Sequence, residues 1–528
     1  MGSRDPPMIV SRGFQSALPV PVRLSHHQNG YLYVTMNKSA GIAIGVIVVA
    51  GALATAGAWY TGNQLEGALN DSISKTNQEL AKSFKGTDTS VKLEMLSLDK
   101  HFFSSTAHYR VDIQNLSDST QGGQFLFVDH IEHGPIPLSH LKTLNLLPVM
   151  ALSNFQMEKS PSAEKWFAMS KDVPPLTGQA SIGYDRATKG TLQMAPLEMT
   201  DVDGTLRFSG LDLNAESSAN AEKFTLAGDM DNLQLNVASP DGPVSIEIKG
   251  MTFDTGGTKG KSGFYLGHTN MKIQNAGFQV VGKPQVQIRD FTNTNLVQED
   301  AGNLAAQINY DAGMIAYAGK DVGSAHMGFK IANFDVLATQ ALYQLYQDKI
   351  LPQQQEAAQE KRPFRLELSP ADQELMNTQM KTLLAAKPHI ELEKLSLKTS
   401  NGESHMRIAV DLADPGPLDQ PSDALLMKSL GEVNAKVVLS KPMIRDLATQ
   451  QAMREGQTDL KVIADQAKAA GDMASAMAEM MQLAKVDGDN IVSDLHYANQ
   501  MVDFNGQKMT VQQFMSNVMG KVGVLGNQ

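Results

Sequence analysis

The chain has 528 residues, with 45 basic and 56 acidic side chains, a formal net charge of −11 and no cysteine. The lack of cysteine excludes disulfides, iron–sulfur clusters, thiolate zinc sites, thiol catalysis and a lipoprotein anchor, and the acidic balance argues against nucleic acid, whose phosphates need a basic footprint. The length exceeds what one compact core usually holds, so two or more domains or one elongated sheet are expected.

Residues 1–35 scatter Pro, Arg, Ser and His without period and read as a disordered extension or a misplaced start, whereas Met36-Asn37-Lys38-Ser39 opens a compact segment that makes Met36 the better start. From Ala40 to Tyr60 no charged side chain occurs. As a helix that stretch would be about 31 Å long, one bilayer core. Arg4, Arg12, Arg23 and Lys38 precede it against Asp5 alone, and Trp59 and Tyr60 close it with interfacial aromatics. Basic flanks stay cytoplasmic, so residues 36–62 read as a single-pass inner-membrane anchor with the rest periplasmic. Ala54-Thr55-Ala56 and Ala56-Gly57-Ala58 keep a cleaved signal peptide open as the alternative, although the apolar run is longer than a secretory core. Gly41 and Gly45 form a small-xxx-small pair that would let two such helices approach closely as a homodimer, against the simpler reading of lipid-facing packing.

Residues 63–178 begin with a helix over 63–85, with Leu65, Leu69, Ile73 and Leu80 at helical spacing, read as a stalk continuing the anchor. Strands follow from Val91 to Gln114 and around Phe125–Val128. In the segment DHIEHGPIPLSH, His130, His133 and His140 lie beside Asp129 and Glu132, a donor set that suits zinc. Pro135 and Pro137 force that segment to be extended, however, so the geometry of a helical His-Glu-x-x-His site cannot form. The reading adopted is a rigid turn in which Gly134 allows close backbone approach. Ser72–Lys75 and Ser139–Lys142 match Ser-x-x-Lys without the partner motifs of such hydrolases. With no Gly-x-Ser-x-Gly, phosphate loop or Gly-x-Gly-x-x-Gly, no catalytic, cofactor-binding or metal residue is assigned.

Residues 179–335 alternate with period two. Val244, Ile246 and Ile248 stand against Ser245, Glu247 and Lys249, and Leu206 and Phe208, Leu233, Leu235 and Val237, and Val286 and Ile288 follow suit. Gly, Asn and Asp clusters separate these runs, which predicts antiparallel strands with one apolar and one polar face. Asp201-Val202-Asp203-Gly204 lacks the later ligands of a calcium loop and reads as a strand-joining turn. Nothing supplies the alternating helices of a doubly wound nucleotide fold.

Residues 336–528 mix helices and strands. Leu342, Leu345, Tyr346 and Ile350 fall at helical spacing, and a second helix starts at Ser369 with Pro370 at its first position. Asn401-Gly402 between alternating runs predicts a hairpin, Val433–Leu439 a strand, Asp459–Lys485 a helix whose Met473, Met477, Met480 and Met481 read as core packing, with an adaptable apolar binding surface as the alternative, and Ile491–Phe504 a final hairpin. No fixed-period repeat is found.

The anchor segment Met36–Gly62, HGPIPLSHLKTLNLLP (His133–Pro148), the hairpin at Ser400–Ser404 and NGQKMTVQQF (Asn505–Phe514) resemble the YdgA-like family of Gram-negative envelope proteins. The residues matching its motifs are His133, Gly134, Pro135, Pro137, Leu138, Asn505 and Gly506. That family's function is unknown, so the resemblance implies location and architecture but no reaction. The expected fold is α+β, an N-terminal transmembrane helix followed by an elongated, mainly antiparallel β-sheet body with several packed helices. The expected function is a non-catalytic envelope scaffold or binding protein, with lipid or hydrophobic-ligand binding and transfer as the alternative and an unrecognised hydrolase as the second. Its expected partners are the membrane and a lipid or an envelope protein. A sheet whose apolar face stays uncovered would favour lipid, and a closed core would favour the scaffold.

Overall fold

Alternation of apolar and polar side chains makes most of this chain one sheet. The computed structural model describes residues 65–517 apart from 85–88, 116–121, 143, 145, 202–203, 240–241, 262, 361 and 418–421. The expected extension 1–35 and the expected anchor, with Gly41 and Gly45, lie outside the described residues. Among those described, no helix is long and apolar enough to cross a membrane.

Strands β1 (Thr89–Lys100), β2 (Ser104–Asn115), β3 (Gly122–His133), β4 (Ala151–Glu158) and β5 (Leu176–Ile182) run back and forth. Next comes one long hairpin, in which β6 (Thr188–Met194) continues as β7 (Leu197–Asp201) and returns as β8 (Gly204–Phe208) and β9 (Leu211–Ser217). Both arms are interrupted at the same level, by Ala195-Pro196 and by Ser209-Gly210, since proline has no N–H for the ladder and Gly210 takes a φ of 102°. Six strands of 15 or 16 residues follow: β10 (Lys223–Val237), β11 (Val244–Lys259), β12 (Tyr265–Val280), β13 (Val286–Asp300), β14 (Asn303–Tyr317) and β15 (Lys320–Asp335). The sheet ends with β16 (His389–Lys398), β17 (Glu403–Leu412), β18 (Leu430–Ser440), the short β19 (Lys485–Asp487), β20 (Asn490–Ala498), β21 (Met501–Phe504) and β22 (Gln507–Thr510). Among the described residues all 22 strands belong to one sheet, and every pairing is antiparallel.

The expected α+β class with a mainly antiparallel sheet is what the chain adopts. The first helix differs from its expected role. Leu65–Ser83 does not stand off as a stalk but lies on the sheet, burying Leu69, Ile73 and Leu80 against Val91, Leu93, Val111, Phe125 and Phe127. Its Asn77 also covers the free edge of β1, donating to the Leu93 carbonyl at 2.8 Å and accepting from the Leu93 amide at 2.8 Å. An open edge would otherwise be a template for another strand.

The later helices sit at strand ends. Val336–Leu345 is capped by Asp335 and runs through a π-turn, Tyr346–Ile350, into Leu351–Gln359. It brings Tyr343 against Phe264 in the β11–β12 turn, with ring centroids 6.3 Å apart. Pro370–Ala385 starts at Ser369, as its sequence predicts, with the Ser369 hydroxyl accepting from the Asp372 amide. At the other end, Lys441–Arg454 packs with Leu460–Met480. Asp446 on the first of these holds the β16–β17 turn, accepting from Thr399 Oγ1 at 2.5 Å and from Asn401 Nδ2 at 2.7 Å. Burial alone would raise the Asp446 carboxyl, but these hydrogen bonds outweigh it and hold it below its ordinary value.

Candidate functional site: one apolar face, covered at one end and open beyond it

The motif residues His133–Leu138 close the end of β3. Gly134 donates to the Met150 carbonyl at 2.8 Å and Val149 donates to the Pro135 carbonyl at 2.9 Å, which folds the segment onto the chain entering β4. The Gly134–Pro135 peptide is cis. His133 donates through its amide to the Phe103 carbonyl at 2.9 Å, and its Nε2 lies 3.0 Å from Ser105 Oγ. Glu132 accepts from both the amide and the hydroxyl of Ser139, at 2.8 and 2.9 Å. His130 meets Thr106 instead, at 3.2 Å, and among the described residues no group of three His, Asp or Glu side chains is placed to hold a metal. Asn505 and Gly506 are not brought to this place. They form the two-residue turn between β21 and β22 with φ of 54° and 83°, the left-handed pair that a type I′ hairpin turn demands.

Asp129, four residues before His133, points into the covered core and is 2 % exposed. Burial raises its carboxyl to about 6, opposed by hydrogen bonds from Ser153 Oγ (2.8 Å) and the Asn154 amide. Burial, and secondly the Asp129 charge, also push the Tyr109 phenol upward. The native state therefore holds the Asp129 proton more tightly than the unfolded chain. Stability is greatest below about pH 4 for this group and falls as pH rises through about 6, by about 3 kcal/mol in all. Asp129→Asn should accordingly be more thermostable than wild type at pH 8 and lose that advantage towards pH 4. Melting curves of the purified chain at several pH values check this, and an advantage independent of pH would show that Asp129 is not the titrating group.

The register shows how far the apolar face extends. Cα partners across a sheet share a face, and one transverse row of partners starts under the first helix at Ala107, Asp129, Phe155, Gly178 and Leu192. It continues through Leu213, Gly228, Phe253, Met271, Asn293, Tyr310 and Met327 to Leu395, Met406 and Val437. Further along the strands, Leu235, Ile246, Phe278, Val286 and Tyr317 form a second such row. Between the two rows the alternation shifts by one residue, and Gly250 and Asp290 there take φ of 62° and 54°, a bulge-type irregularity that re-aims side chains.

Under the helix these residues are buried; beyond it they are not. Among the described residues of 204–335, Met230, Leu304 and Ala316 are the buried hydrophobics. Six strands about 50 Å long and 4.8 Å apart present a face on the order of 1,000 Å², more than the few hundred a soluble monomer usually exposes. Four of its polar residues satisfy one another: Asn293 and Asn295 exchange amide hydrogen bonds at 3.1 and 3.2 Å, and Thr255 meets Thr269 at 2.8 Å. The opposite face carries the charges. His268 pairs with Asp254 at 2.9 Å, His326 with Asp311 at 2.6 Å, and Arg407 and His389 both engage Glu391. A smaller cleft of about 320 Å³ marks the interrupted hairpin, where Met194, Leu211 and Met230 meet Asp212, Asp229 and Asp231.

Sequence reasoning found the strands of this face but not its continuity, because a strand's alternation does not reveal which row its neighbour supplies. It missed Asp446 entirely, since a lone acid in a helix carries no signal of the loop it will hold.

Comparison with known proteins bears on the same architecture. Protein YdgA of Escherichia coli K12 is 25% identical over 495 residues, covering 91% of this chain and 96% of the relative. The uncharacterized protein YihF of the same organism is 23% identical over 483 residues, 90% and 98% of the two chains. An uncharacterized protein of Haemophilus influenzae is 23% identical over 319 residues, 58% and 85%. No solved structure matches. The model of the family described as bacterial protein of unknown function (DUF945) matches residues 36–512, nearly the whole length over which the sheet and its helices are built, and the chain belongs to that family.

Proposed function

We propose that this chain is anchored in the inner membrane with its body in the periplasm, and that the body binds or transfers lipids by holding their acyl chains along the open apolar face, without catalysing a reaction. The observation that carries this is the near absence of buried hydrophobics among the described residues of 204–335, in strands whose apolar rows are otherwise regular. A scaffold would have used that face as core. The Asn and Thr side chains of that face satisfy one another, which suits flexible hydrocarbon. The experiment is photo-crosslinking in cells with benzoylphenylalanine at Phe253, on the apolar face, and at Asp254, on the charged one. Mass spectrometry of the purified protein should find lipid adducts at position 253 and none at 254. Protein adducts alone at 253 would support the scaffold instead.

A further inference from the structure

We propose that one end of the N-terminal part of the sheet is a membrane-docking surface, whose exposed apolar loops insert among the lipids at the bilayer surface. Antiparallel pairing places three connections at this end: the β1–β2 turn, the loop from β3 to β4 and the β5–β6 turn. The partners Ser104, Glu132, Leu152, Ser181 and Lys189 form a row just inside it. All three connections are tipped with apolar side chains. Phe102 is 87% exposed, with Phe103 edge-on to it at 4.6 Å; Leu144 is 84% exposed, followed by the exposed Leu146 and Leu147; and Tyr184 tips the third. A few residues inward, Ile131, Leu152 and Ile182 are fully buried, so the tips are not the frayed margin of a loose core. Lys142 and Arg186 stand exposed among them against Asp185, a balance that suits anionic headgroups.

The bilayer is the occupant because of where the chain comes from. Glu66, at the start of the first helix, meets Lys100 at 2.9 Å, which fixes that start at this same end. The five residue-to-residue steps from Tyr60 to Leu65 reach at most about 18 Å. If Ala40–Tyr60 spans the membrane, these loops are held at its surface, where Phe, Tyr and Leu side chains are stabilised among the headgroups. The proposal therefore rests on the anchor reading, but not on lipid being held along the open face.

The chain has no cysteine, so single-cysteine variants can be labelled at one place. Full-length Phe103→Cys and Leu144→Cys, and Met480→Cys on an exposed part of the distant helix as reference, are labelled with an environment-sensitive fluorophore. They are reconstituted in vesicles of phosphatidylethanolamine and phosphatidylglycerol, and melting points equal to wild type confirm folding. The probes at 103 and 144 should emit further to the blue and be quenched at least about twofold more by lipid-borne spin labels than the probe at 480, as burial about 5–10 Å into the interface requires. Quenching equal to that at 480 overturns the docking. So does a blue-shifted probe beyond reach of the spin labels, which would assign the patch to a protein segment. The protein floats with vesicles through its anchor whether or not the loops dock, and a protein that fails to float overturns the anchor reading and the docking together.

Discussion

Gly134→Val should strongly destabilise the N-terminal part of the sheet, whereas His133→Ala should barely affect it. A Cβ on Gly134 would lie 2.0 Å from the Val149 carbonyl oxygen and 2.8 Å from that of Met150. Both are backbone atoms, and Met150 is itself tied to β5 through its hydrogen bond to Ile182 at 2.7 Å. The chain cannot yield without breaking the start of β4, so a cost of several kcal/mol is expected, at the upper end of overpacking. His133→Ala removes one side-chain hydrogen bond, to Ser105, and should cost about 1 kcal/mol. Thermal unfolding and limited proteolysis of both variants would measure the difference. Equal effects would mean that the histidine, not the backbone contact, is what the motif provides.

The second large contrast compares the two ends of one face. Val111→Lys places an ammonium in the covered core, where the side chain is fully buried, and an unpaired charge there costs several kcal/mol. Ile246→Lys makes the same change on a half-exposed side chain of the uncovered part. There the long stem can lie along the apolar surface with its head in water. The expected result is a Val111→Lys protein that misfolds and is degraded, and an Ile246→Lys protein that melts near wild type but copurifies with much less lipid. Lipid extraction and mass spectrometry, run beside melting curves, read both halves. An Ile246→Lys protein as damaged as Val111→Lys would return the face to the role of a core and the chain to the role of a scaffold.

The strands were legible where alternation was strict and bounded by turn residues, as in Val244–Ile248 or the runs flanking Asn401-Gly402. Ala151–Glu158 was not, because Ala151, Leu152 and Ser153 in succession are all buried, which hides the alternation at its start. The helix Leu65–Ser83 was legible in extent to within two residues at each end. Its role was not, since Leu69, Ile73 and Leu80 describe an apolar stripe without saying what meets it. At the motif, the close backbone approach at Gly134 was legible, while the work of tying the Phe103 turn, β3 and the start of β4 together depends on carbonyls that no side-chain pattern encodes. The open face has the same origin. Period two marks an apolar side, and only the absence of a covering layer, a tertiary fact, distinguishes groove from core.

Because most strands pair with a strand adjacent in the chain, this very large sheet seldom requires distant parts of the sequence to search for one another. Most loops to be closed are a few residues long, so the entropic toll of assembly stays close to that of successive hairpins. A chain emerging N-terminus first can therefore add strands one at a time to a single growing edge. The longest interruptions come after Asp335 and after Ser440, where helices intervene before β16 and β20 arrive. At those two pauses the last strand laid down is a bare edge, the moments in assembly when another chain could take the vacant place.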